Sequence, residues 1–138
     1  MKIERFEEII AWQKARVLTL NLYTLFKESR DYSFRDQIQR ASVSIMNNIS
    51  EGYGRGSDLD FKRFLFIANG SCCEVKSMLY LAKDLQYISK SDFDDLFTKT
   101  DEIGRILNGL IKSLKTKANY KVKEQSSVDS EQWSDFSR

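Results

Sequence analysis

The chain has no proline, no histidine, only two cysteines and no long apolar run among its 138 residues. Globular chains average about 5% proline. Its absence favours long uninterrupted helices over loop-rich or all-β architecture. Without histidine, the commonest general base and the commonest metal ligand are missing. Cys72 and Cys73 are adjacent, and neighbours on a helix cannot form an ordinary disulfide because their Cβ vectors diverge. A reduced, cytoplasmic protein is the expectation. No stretch approaches the ~20 apolar residues that cross a bilayer, so no membrane role is expected. Residues 1–8 read as an acidic amphipathic segment rather than a signal peptide. An excess of one charge is also lacking: 22 Lys and Arg against 20 Asp and Glu leave a net charge of +2. No strong global field therefore draws nucleic acid or a membrane, and any polyanion site has to come from local clustering.

What the chain does have is helical periodicity. The spacing predicts an all-α fold of four helices in one domain, residues 1–115, followed by a polar tail, residues 116–138. A first helix is expected over residues 6–28, with Ile9, Trp12, Ala15, Leu18, Leu22 and Leu25 on one stripe. Val17, Leu20 and Tyr23 are left on another face, where one partner layer would leave charge. They are candidates for an oligomer interface. A second helix is expected over residues 34–52, with Phe34, Ile38, Ala41, Ile45 and Ile49 inward. Ser33 is its expected N-cap, and Gly52 or Gly54 its left-handed stop.

The third helix, residues 58–86, is capped by Ser57. It carries a seam of Phe61, Leu65, Ala68, Cys72, Val75, Leu79 and Ala82 in alternating steps of four and three. Phe64, Ile67, Met78, Leu81 and Leu85 form a second apolar line, and Gly70 is expected to admit another backbone closely. The fourth helix is expected to start at a Ser91 cap, with Asp94 at the capping-box offset. Its seam runs Phe93, Leu96, Thr100, Ile103, Leu107, Leu110 and Leu114. Short loops between four such helices give an up-down-up-down antiparallel bundle. Beyond Lys115 the periodicity fails. Lys117, Lys121 and Lys123 precede a serine-rich acidic stretch, so the tail is expected to be disordered. Trp133 and Phe136 either dock on a partner or are incidental.

The residues that could carry chemistry gather around the second helix. Arg35, Arg40, Arg55, Lys62 and Arg63 read either as a phosphate-binding rim or as partners for Asp36, Glu51, Asp58 and Asp60. Glu51 and Arg55 have the spacing of a helical ion pair, although Gly52 and Gly54 are expected to break the helix there. Tyr53 is either a packing residue or a platform for an unpaired base. Ser44, Asn47, Asn48 and Ser50 are poor helix formers. They either face solvent or make hydrogen bonds between subunits, and Ser44 and Asn47 are the interface candidates. Cys72 sits on the seam as a small hydrophobe, and only Lys76 is near enough in sequence to activate a thiolate. Glu74 and Glu102 are the mid-helix carboxylates, too few for a metal cluster. No phosphate loop or nucleophile elbow is present. No catalytic residue, metal, cofactor or small-molecule substrate is expected.

Four segments together carry a resemblance. They are Phe6-Glu7-Glu8 with Ala11-Trp12-Gln13-Lys14-Ala15; Asp36-Gln37-Ile38-Gln39-Arg40-Ala41; Asn48-Ile49-Ser50-Glu51-Gly52-Tyr53-Gly54-Arg55; and Phe64-Leu65-Phe66-Ile67-Ala68-Asn69-Gly70-Ser71. In this order the chain resembles the 23S rRNA intervening-sequence protein family, over about residues 6–114. The resemblance implies a small bacterial four-helix bundle assembled as a ring-like homopentamer. It makes Asp36, Gln37, Asn48, Glu51, Gly52 and Tyr53 motif residues with a structural role. It also implies kinship with the accessory variability protein of diversity-generating retroelements, a basic pentamer that works with a reverse transcriptase and nucleic acid. RNA or DNA, and a reverse transcriptase or another protein, are therefore the expected partners. This chain departs from the pattern in having no proline around residues 44–47, Asn69 at a position usually small or aliphatic, and almost no net charge.

Overall fold

The computed structural model describes residues 2–114. The expected tail, with Lys117, Lys121, Lys123, Trp133 and Phe136, lies outside the described residues. A single 3-10 turn, Phe6–Glu8, leads into four helices: α1 (Ile10–Leu25), α2 (Tyr32–Gly54), α3 (Asp58–Asp84) and α4 (Lys90–Ser113). There is no strand among the described residues. The chain is all-α, as its periodicity predicts.

Each helix packs on two others. The α2–α3 contact is the most extensive and α1–α4 the least; α1 and α3 stand at diagonal corners, each between α2 and α4. The contacts along each pair run in opposite directions. Phe26 meets Phe34 at the α1–α2 turn, while the Tyr53 hydroxyl donates to the Ile3 carbonyl at the far end. Tyr53 also meets Phe61 at one end of the α2–α3 pair, and Phe34 meets Tyr87 at the other. Lys76 reaches Asp101, and Asn69 reaches Asn108, across α3 and α4.

The seam of α3 is buried throughout, from Phe61 to Ala82. Full burial of such side chains contributes roughly 1.5–3 kcal/mol each. Against them pack Ala11, Ala15, Leu18 and Leu22 of α1 and Ile38, Ile45 and Ile49 of α2. On α4 the buried row is Phe93, Leu96, Thr100, Ile103, Leu107 and Ile111. Leu110 and Leu114 of the expected seam are only half-buried at the edge of the core, because 3.6 residues per turn outruns a 3.5-residue repeat. The Thr100 hydroxyl is satisfied within its own helix by the Leu96 carbonyl at 2.7 Å.

Several boundaries differ from expectation. The expected first helix is interrupted at Ile9, which is extended, so α1 proper begins at Ile10. Asp31, not Ser33, caps α2 by accepting from the Phe34 amide at 3.1 Å. Ser89, not Ser91, caps α4 by accepting from the Asp92 amide at 3.0 Å. The helix α2 runs through Gly52 to Gly54, and its left-handed exit falls at Gly56, φ +85°. The α3 helix ends in a Schellman turn, with the Tyr87 amide donating to the Ala82 carbonyl at 2.8 Å and the Gln86 amide to the Lys83 carbonyl at 3.0 Å. The left-handed position of that turn is filled by Gln86, φ 63°.

The glycines exchange expected roles. A Cβ at Gly52 would lie 2.5 Å from the Cβ of Phe64, so this glycine is where α2 and α3 approach closely. A Cβ at Gly70 would meet nothing within 4 Å. Gly70 faces outward on α3, and the expected close approach is not made within the chain.

Candidate functional site

The five cations of the expected phosphate rim do not form one cluster. Arg35 and Arg40 lie towards the start of α2. Arg55, Lys62 and Arg63 lie around the α2–α3 turn, about 22 Å away from Arg40 at 1.5 Å per residue. Three of the five are ion-paired. Arg35 meets Asp36 at 3.1 Å, Arg55 meets Glu51 at 2.8 Å, and Arg63 meets Asp60 at 3.3 Å. Because α2 continues past Gly52, Glu51 and Arg55 form an ordinary i,i+4 helical pair rather than a clamp on a turn. The Glu51 carboxylate raises the Arg55 pKa through its hydrogen bond and its charge. The Arg55 and Arg63 guanidinium groups both lie against the Phe64 ring, at 5.1 and 5.5 Å from its centroid.

Arg40 and Lys62 make no ion pair among the described residues. Arg40 lines a polar cleft of about 610 Å³ between α2 and α3, with Ser33, Asp36, Gln37, Ser44 and Glu74. Two carboxylates in that lining oppose an anion.

The polar row on α2 is largely spent inside the chain. The Ser44 and Ser71 hydroxyls are 2.9 Å apart across the α2–α3 contact. Asn48 donates to the Ser44 carbonyl at 2.8 Å and to its hydroxyl at 3.0 Å. Ser44 is half-buried against α3, not on an outer face, whereas Asn47 is exposed. Tyr53 is half-buried with its hydroxyl bonded to Ile3 and its ring edge-on to Phe61 at 5.8 Å. That is the packing arrangement of the two weighed above.

The outer faces of α1 and α3 are the most unusual surface. Val17, Leu20 and Tyr23 are exposed, Leu20 by 59%, as their separation from the core stripe predicts. Ile10 joins them. On α3, Phe66, Ile67, Tyr80, Leu81 and Leu85 are each exposed by about half. Phe66 and Tyr80 were not singled out by sequence as surface residues. The sign that marks them is their spacing: Phe66, Cys73 and Tyr80 follow one another at steps of seven, each one residue past the seam and so turned about 100° from it, with the Tyr80 ring also meeting Phe93 and Phe97 of α4. Soluble monomers rarely expose contiguous apolar area of this kind.

Cys72 is buried on the seam. Burial is the largest cause that pushes its thiol pKa up to about 12, with Cys73 adding to the rise and Lys76 opposing it. A thiol held protonated is a packing group and not a nucleophile. Among the described residues no group of three or more His, Cys, Asp or Glu could hold a metal ion, and no helix is long and apolar enough to cross a membrane.

The model of one family, 23S rRNA-intervening sequence protein, matches residues 7–109. The chain belongs to this family. Among solved structures it is similar to a protein of unknown function from the S23 ribosomal protein family of Bacteroides thetaiotaomicron, at 25% identity and a TM-score of 0.70. That match covers 75% of this chain and 96% of the other. No curated protein matches the sequence. The family assignment thus agrees with the four segments of resemblance, and the similar structure carries no known activity to transfer.

Proposed function

We propose that this protein is a non-enzymatic, self-assembling helical scaffold whose α1 and α3 outer faces bind further copies of the chain. The observation that carries this reading is the pair of exposed apolar faces on diagonal corners of one bundle. A single apolar face would be satisfied by a dimer. Two faces pointing apart give each copy two neighbours, and head-to-tail contacts of that kind close into a ring or run on as a filament. A closed ring is the expected form, with five copies as the family resemblance implies. The two free cysteines fit a reduced, cytoplasmic setting.

Substituting aspartate for Leu20 on α1, or for Phe66 on α3, tests the reading. Either change places a charge at the centre of an apolar contact while leaving the core intact. Each is expected to lower the light-scattering mass towards one chain with helical content unchanged. An assembly whose mass is insensitive to both changes would refute it.

A second reading, contact with RNA or DNA, is favoured by the unpaired Arg40 and Lys62. Neutralising two duplex phosphates per copy corresponds to a log–log salt slope of about −1.8 per copy. Binding to a structured RNA that is flat between low and moderate salt, or absent at low salt, would refute this contact without touching the scaffold reading.

A further inference from the structure

The two outer faces differ in charge, and the difference says which binds which. Midway along each helix stands a charged residue that its own chain leaves unpaired, while on α3 Lys62 and Asp84 are unpaired only at the two ends. On α1, Arg16 is exposed between Gln13 and Leu20. Its guanidinium lies 5.7 Å from the Trp12 ring centroid, and it makes no ion pair among the described residues. The other cation of α1, Lys14, is taken up by Glu102 at 2.9 Å. No acidic residue occurs between Ile10 and Leu25, so α1 presents an apolar face of purely positive character. On α3, Ile67, Glu74 and Leu81 stand at steps of seven on one exposed line. Glu74 makes no ion pair and no hydrogen bond among the described residues. It borders the cleft that holds Arg40, yet the two are not within ion-pair distance. Gly70 and Ser77 lie beside Glu74 on the same face and leave room there, since a Cβ at Gly70 would meet nothing within 4 Å.

We infer that assembly is heterologous: the α1 face of one copy docks on the α3 face of the next, with Arg16 paired to the neighbour's Glu74. This rests on the scaffold reading and deepens it. The alternative of like faces meeting, α1 on α1 and α3 on α3, would bring Arg16 against Arg16 and Glu74 against Glu74. Like charges juxtaposed in a contact are costly, and opposite charges fix its register. The apolar neighbours supply attraction, and the charge pair selects the partner face. An α1-to-α3 contact also leaves one free α1 face and one free α3 face on any open chain of copies, which is the condition for closing a ring.

The experiment is a charge swap on the full chain, read by analytical ultracentrifugation across a concentration series, with circular dichroism as a check on folding. Arg16→Glu and Glu74→Arg each place like charges in every α1–α3 contact. Each is expected to raise the dissociation constant at least tenfold. The double variant, Arg16→Glu with Glu74→Arg, restores opposite charges at every contact and is expected to return to within about threefold of wild type. If the wild type assembles but the double variant is no better than the weaker single, the pairing is wrong and self-assembly stands. If both single variants assemble as tightly as wild type, these charges do not choose the partner face and the inference is overturned. If the wild type is a monomer throughout, the scaffold reading fails and this pairing with it.

Discussion

Replacing Gly52 by alanine sets two effects of known sign against each other. Gly52 lies inside α2, where alanine gains about 0.8–1.0 kcal/mol in helix propensity. Its face meets α3, where the new methyl would stand 2.5 Å from the Phe64 Cβ and 3.3 Å from Phe61 Cδ1. Carbon atoms sit comfortably at about 3.5–4.0 Å, so α2 and α3 have to separate by about 1 Å. The blocking atom is a Cβ fixed to the α3 backbone and cannot rotate away. Overpacking costs about 1–3 kcal/mol, and a clash with a fixed atom belongs in the upper half of that range. The net expectation is a loss of about 1–2 kcal/mol, or a fall in Tm of about 4–8 °C for a chain of this size. Gly109→Ala is the control. It also lies inside a helix, but a Cβ there meets nothing within 4 Å, so it should gain nearly the full propensity term and melt about 3–4 °C higher. Thermal melts at one fixed protein concentration compare the two, since assembly makes Tm depend on concentration. A Gly52→Ala protein as stable as wild type would refute the close-approach account.

Further expectations concern the helix ends, the core and the cysteines. Gln86→Gly should stabilise by about 0.5–1 kcal/mol in urea unfolding, because an ordinary side chain in the left-handed region costs about 1–2 kcal/mol and glycine returns part of this as chain entropy. Leu79→Ala, in the fully buried α3 seam, should cost about 2–5 kcal/mol by the same assay. Asp31 accepts from the Tyr87 hydroxyl at 2.7 Å and from the Phe34 amide, and both hold its pKa below the usual 3.8, the Tyr87 bond more strongly. The Lys76 hydrogen bond and charge lower Asp101 in the same direction. A carboxylate depressed on folding adds stability that is complete above its unfolded pKa and is lost as pH falls through the folded value. Melts between pH 5 and pH 2 should therefore show a steeper loss for wild type than for Asp31→Asn with Asp101→Asn, and equal slopes would contradict the two contacts. A thiol reagent at pH 8 should modify at most one cysteine per native chain, because Cys72 is buried and protonated, and two once the chain is unfolded.

The core was the most legible part of the sequence. Every residue of the α3 seam is buried because α3 packs along both α2 and α4, whereas the α4 seam of the same spacing holds to Leu107 and then passes to Ile111. The caps were less legible because the turns offer rival acceptors of the same chemistry. Ser29, Asp31 and Ser33 flank the start of α2, and Ser89 and Ser91 flank the start of α4; only the folded backbone selects Asp31 and Ser89. Glycine was ambiguous in the same way. The residue type permits a stop, a close approach or an open face, and tertiary contact decides that Gly56 is the first, Gly52 the second and Gly70 the third. Of the candidate site, the outward position of Val17, Leu20 and Tyr23 follows from periodicity alone. The ion pairing of Arg35, Arg55 and Arg63 does not, because both signs of charge share those segments and only geometry pairs them.

The most direct test of the account is the mass of the wild-type protein in solution, by light scattering over a hundredfold range of concentration. A single mass of three or more chains, constant above a threshold, is the result that two opposed faces closing a ring predict. A mass of one chain at every concentration would contradict the central claim that the outer faces of α1 and α3 exist to bind further copies.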